Sequence, residues 1–132
     1  MPTIIENRRN LHQIPEIELT TQKTAQYIEN VLDLYDCTID HPIQNSVTAY
    51  FDNKKEKTIV FRSDMDALPM EENTGLEFKS TSGCMHACGH DGHMAMVLEL
   101  AKYAKESDYN VLLLFQPGEE KPGGAKPIIE SK

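Results

Sequence analysis

The stretch Asn110 to Phe115 reads NVLLLF and has no apolar-polar alternation after its asparagine. A strand with one wet face alternates, whereas a short, continuously apolar strand is one covered on both faces. A chain with such a strand must supply covering layers, and its other segments supply helices. Pro2-Thr3-Ile4-Ile5-Glu6 has the spacing of a capping box, with Thr3 as N-cap and Glu6 three residues later. The helix it opens carries Ile4, Ile5, Arg8, Leu11 and His12 on roughly one side, and Pro15 limits it to about residue 13 or 14. A second helix is expected from about Thr21 to Leu34, with Ala25, Ile28, Leu32 and Tyr35 on one stripe.

Asn45 to Phe51 and Lys57 to Arg62 read as strands joined by the turn Asp52-Asn53-Lys54-Lys55, pairing as a hairpin or lying as neighbours. After Asp91 a third helix places Met94, Val97, Leu98, Ala101 and Ala104 on one stripe and Met96, Leu100 and Tyr103 on another, so it is expected to be well buried. The tail after Phe115 is rich in proline and glycine until KPIIESK, which opens a further element. Helix, helix, strand, strand, helix, strand is the order of a layered α/β arrangement.

Composition removes several function classes. The 132 residues carry a net charge of −8 with their lysines and arginines scattered, so no basic patch is available for nucleic acid. No apolar run approaches the ~20 residues of a membrane span, and the N-terminal residues do not read as a signal peptide. The three cysteines, an odd count, are then expected as reduced thiols in the cytoplasm.

Three polar clusters follow predictable elements. Asp64 and Asp66 (SDMDALP) leave the end of one strand, Glu119 and Glu120 (QPGEE) leave the end of another, and HACGHDGH precedes the third helix. Ligands in open α/β sheets bind beyond the carboxyl ends of strands, so both acidic pairs aim at one region. Thiolate, imidazole and carboxylate are the ligand types of a dinuclear hydrolytic site, where a bridging water becomes a nucleophile near neutral pH. Cys88 and His90 at i, i+2 can face the same way, and Asp64, Asp66 or Asp91 can bridge or orient. Of two adjacent glutamates, one can hold a metal while the other takes a proton.

Each feature also has a plainer reading. Asp91 is expected at least to N-cap the third helix; Glu119-Glu120 reads equally as a solvated turn, and Asp64 and Asp66 as turn-formers ahead of Pro69. His86 and His93 are expected outside the direct ligands, His12 in packing or at the surface, and Cys37 inert in a helix-to-strand connection. Cys84 and Cys88 form a C-x3-C pair, which lacks the spacing of the common redox motif. It is the convergence of three clusters that favours the metal site.

The blocks RNLHQIPE, FRSDMDALPMEE, SGCMHACGHDGHMAMVL and LLFQPGEEKPGGAKPII resemble, in order and spacing, the zinc-peptidase-like amidohydrolases, a family that includes hippurate hydrolase, N-acyl-amino-acid amidohydrolases and N-acetyldiaminopimelate deacetylase. The resemblance implies an α/β fold: the N-terminal part of a layered zinc-peptidase-like catalytic domain, with a mixed sheet flanked by helices. It implies two divalent metal ions (zinc, manganese or cobalt) and hydrolysis of the amide bond of an N-acyl amino acid by a water activated between them. Carried over by position, Cys88, His90 and Glu120 are metal ligands, Glu119 is the general base and Asp66 orients the site, while Asp64 stands where related peptidases place a ligand histidine. Ser63 and Gly118 depart from the alanine common in the family. Residues 1–132 correspond to the first portion of the catalytic domain, without the further histidine ligands, the lid or dimerisation domain and the second catalytic half. The expectation is therefore an incomplete site with little activity alone. The alternative is a non-catalytic metal-binding remnant that forms homo-oligomers through exposed strand edges.

Overall fold

The structure is a computed structural model and describes residues 1–131; Lys132, the last position of the expected 1–132 span, lies outside them. Helix α1 (Ile4–His12) begins with the expected box: the Glu6 amide donates to the Thr3 hydroxyl, and the Thr3 amide donates to Glu6 Oε2 at 2.8 Å. Its buried side is Asn7, Leu11 and His12, while Ile5 stays exposed, so packing against α3 overrides the apolar stripe. Helix α2 (Gln22–Leu32) has Thr21 at its N-cap, but the Thr21 side chain does not cap it. The carboxylate of Glu16 accepts the Thr24 and Lys23 amides at 2.7 and 3.2 Å instead. A charge at these free amides also complements the helix dipole.

Four strands follow: β1 (Thr38–Asp40), β2 (Val47–Phe51), β3 (Thr58–Asp64) and β4 (Asn110–Gln116), with helix α3 (His90–Leu100) between β3 and β4 and helix α4 (Ala125–Ser131) last. They form one mixed sheet in the order β1-β2-β4-β3, antiparallel except for the parallel pair β3–β4. The mixed sheet flanked by helices agrees with the expected class. The hairpin does not form: β4 enters between β2 and β3, pairing Tyr50 with Leu112 on one side and Val60 with Leu112 on the other. The continuously apolar strand is one of the two interior strands, but only one of its faces is fully covered: Val111, Leu113 and Phe115 lie in the core, whereas Leu112 and Leu114 on the other face are half-buried, so the expected double coverage is incomplete. The short strand β1, which lies just after Cys37, was not legible from local pattern.

In α3 the first stripe is buried, but Met96 and Tyr103 of the second are exposed and the helix ends at Leu100. One face of α3 thus packs on α1 and the sheet, and the other is open. Helix α4 realises the element expected at KPIIESK and buries none of its residues. No helix among the described residues is long and apolar enough to cross a membrane.

Candidate metal centre

The parallel register places Asp64 opposite Gln116, so β3 and β4 end level with each other. The chain after β3 delivers Asp66, and the chain after β4 turns through Pro117 and Gly118 to deliver Glu119 and Glu120. Gly118 has φ +70°, and a Cβ there would stand 2.8 Å from Leu19 Cδ2. The left-handed φ favours glycine at this turn, where the resembled family commonly has alanine. The third cluster arrives from the other side. Gly89, at φ +80°, is the N-cap of α3, and His90 and Asp91 occupy its first turn, with Cys88 just before it.

Asp91 is therefore not the N-cap. It is buried one position into the helix, where its Oδ2 accepts from Arg8 Nε at 2.9 Å and from His12 Nδ1 at 2.7 Å. His12 is not a surface residue either: its Nε2 donates to the buried Glu72 at 2.9 Å. Pattern and spacing gave no sign of Glu72 or of its connection to Asp91 through His12.

Asp66 is buried and faces main chain: Oδ1 accepts the Glu119 amide at 2.8 Å and Oδ2 accepts the Glu120 amide at 2.9 Å. One carboxylate thus holds the whole acidic turn. The Asp66 carbonyl accepts from His90 Nδ1 at 2.6 Å. A carbonyl only accepts, so Nδ1 carries a proton and Nε2 is the ring nitrogen turned outward. That nitrogen faces Asp64 Oδ2 at 3.3 Å, Glu119 Oε1 at 3.5 Å and Glu120 Oε1 at 3.6 Å.

An imidazole nitrogen and three carboxylates converging on one point form a place for a cation. Cys88 completes the group. Its hydrogen bond to Glu120 first, then burial and the surrounding negative charge, push the thiol up to about 11. The Cys88 sulfur, a His90 nitrogen and a Glu120 oxygen lie within 4.8 Å of one another. Zinc bonds of about 2.0–2.3 Å put neighbouring ligand atoms roughly 3.3–3.8 Å apart, so a small closure brings this set to bonding distance. The donor types and their spacing fit a divalent ion, and loading would displace the thiol proton.

A second group overlaps the first: Asp64, His90 and His93 also offer atoms within 4.8 Å. His93 donates from Nδ1 to Asp64 Oδ1 at 2.8 Å, and its ring stacks on His90 at 5.6 Å. Asp64 thus stands between two imidazoles at the end of β3 and is no turn-former. His86 is buried with neither ring nitrogen partnered within the described residues. Burial first, then His12 and His90 against the opposing pull of Asp91, holds its pKa down at about 4. All three thiols are free, and burial pushes Cys37 up to about 11.

Residues 60–132, more than half of the chain, match the model described as peptidase family M20/M25/M40. An uncharacterized hydrolase of Staphylococcus epidermidis is 40% identical over 132 residues, covering 95% of this chain and 34% of the relative. The crystal structure of an aminohydrolase candidate from methicillin-resistant Staphylococcus aureus superposes with a TM-score of 0.92 at 41% identity, covering 98% of this chain and 35% of that one. A Bacillus subtilis protein described as a dinuclear metal-binding peptidase of the M20 family superposes with a TM-score of 0.88 at 34% identity, covering 97% and 38%. The chain spans about a third of the length of the curated relatives it matches.

Proposed function

The chain belongs to peptidase family M20/M25/M40, and on that premise we propose that it carries the first ligands of a two-metal centre for hydrolysing the amide bond of N-acyl amino acids. In this reading Cys88, His90 and Glu120 hold a divalent ion: zinc, manganese or cobalt. Bound there, the ion would acidify water and polarise a carbonyl oxygen. Glu119 is the general base: it is partly exposed, lies 3.5 Å from His90 Nε2 and can receive a proton in the cleft. Asp66 serves both glutamates by fixing their amides, so that two adjacent side chains diverge from a rigid turn toward different tasks.

The observation that carries the reading is the convergence of thiol, imidazole and carboxylate within 4.8 Å at the carboxyl ends of two parallel strands. The test is a Co2+ titration of the purified chain, followed by absorption. Binding with a cobalt–thiolate band that is lost in Cys88→Ser and weakened in Glu120→Ala is expected, and an unchanged titration in both variants would sink the assignment. With N-acetyl and N-benzoyl amino acids the chain by itself should turn over little or nothing, since it spans a third of its relatives and offers few ligands. Robust turnover that disappears in Glu119→Gln would overturn that expectation.

A second reading has its own observation. Strand β3 lies at the edge of the sheet with Ile59 and Val60 exposed, and a bare apolar edge invites pairing between copies. A non-catalytic, self-associating metal-binding protein would use that edge.

A further inference from the structure

His12 is the last residue of α1 and belongs to none of the clusters at the strand ends, yet its ring is buried between two acids. Nδ1 donates to Asp91 at 2.7 Å and Nε2 to both oxygens of Glu72 at 2.9 Å. With a proton on each nitrogen, the ring joins two carboxylates and neither is left buried without a partner. Arg8, one turn earlier, donates to the same Asp91 oxygen at 2.9 Å. Phe78 closes the far side: its ring meets His12 edge-on at 5.5 Å and lies beneath the guanidiniums of Arg8 and Arg9 at 5.3 and 5.0 Å.

Both acids belong to segments that build the metal centre. Asp91 follows His90 in the first turn of α3. Glu72 lies about a third of the way along residues 65–89, which contain neither helix nor ladder strand and which carry Cys88 next to their end. Glu72 also accepts the Ser80 amide at 2.7 Å and the Thr74 hydroxyl, so it gathers the part of the loop that leads on toward Cys88. Beyond it, the loop is pinned by the bridge between Leu68 and Met85. Without regular structure of its own, the loop takes its position from such attachments, and a ligand pair works only when held to a fraction of an ångström.

We propose that His12 is a positioning residue of the metal centre: a buried clasp tying α1 at once to the first turn of α3 and to the loop that delivers Cys88. Its effect is to keep the Cys88 thiol and the His90 imidazole at one spacing. The inference rests on reading those two residues as ligands.

The test compares the chain with His12→Gln, whose single amide can donate to only one of the two acids. Three readouts are taken: amide hydrogen exchange, alkylation of Cys88 resolved by mass from Cys37 and Cys84, and Co2+ titration with its d–d spectrum. The clasp predicts exchange across residues 72–93 about tenfold faster, with β2 and β4 unchanged. It predicts faster Cys88 alkylation, and Co2+ affinity lower by about tenfold or more with altered d–d bands. Val31→Ala, a core truncation in α2, should leave the Cys88 and cobalt readings as they are. Exchange and alkylation in His12→Gln that match the unsubstituted chain would overturn the proposal. Should His12→Gln fail to fold, Glu72→Ala, which releases only the loop, is judged by the same readouts. Absence of cobalt binding to the unsubstituted chain would remove the metal-centre reading, while exchange and alkylation, which need no metal, still decide the clasp.

Discussion

Single side chains in this protein are tuned by who donates to them. Glu72 is buried, which alone would raise its pKa, but the Ser80 amide, the Thr74 hydroxyl and His12 outweigh burial and hold it at about 2. A carboxylate depressed on folding contributes stability that is present above its unfolded value near 4.5 and is lost as pH falls toward 2. Glu72→Gln should therefore cost about 3 kcal/mol at pH 7, and the difference should all but vanish near pH 2 in urea unfolding measured at stepped pH. Equal losses at both pH values would show that Glu72 contributes packing rather than charge. Cys88 and Cys37 are both held near 11, for different reasons: Cys88 chiefly by the Glu120 hydrogen bond, Cys37 by burial. Glu120→Gln removes the acid that raises Cys88, increasing its thiolate fraction. Alkylation of Cys88 at pH 8 should then accelerate several-fold while Cys37 keeps its rate.

At the level of elements, the capping box and the central strand make separable contributions. Thr3→Ala leaves the Glu6 amide without its acceptor and should lower stability by about 1 kcal/mol, read from thermal unfolding. Leu113 is fully buried on β4, so Leu113→Ala should cost about 2–5 kcal/mol. Met96, on the exposed side of α3, should tolerate alanine within about 0.5 kcal/mol, although its helical spacing looks as apolar as that of Met94. A large loss at Met96 would mean that something covers this face of α3 in solution. Elements also decide where chemistry is delivered. The acidic pairs meet because β3 and β4 run parallel and end level, and because Gly118 permits the turn that Asp66 then secures.

For the whole molecule, the sheet has unequal edges. Strand β1 is short and mostly polar, whereas β3 presents Ile59 and Val60 along an unpaired side. Sedimentation velocity over a concentration series should show self-association that Val60→Lys reduces, since a charge on an edge strand opposes pairing. A chain monomeric at every concentration would rule out the oligomerising alternative. Much was legible without coordinates: the α1 cap, the strand β4, and the three polar clusters with their attachment to strand ends and to a helix start. These follow from short-range causes, namely capping geometry, side-chain period and the turn preferences of glycine and proline. The partners were not legible. Nothing local says that β4 inserts between β2 and β3, that Asp66 accepts amides 53 and 54 residues away, or that His12 joins Glu72 to Asp91. Local chemistry and spacing already name the residues able to do metal chemistry and the elements they ride on. Which of them meet is a property of the folded chain, because long-range pairing is settled by burying the whole sheet and pairing the buried charges together.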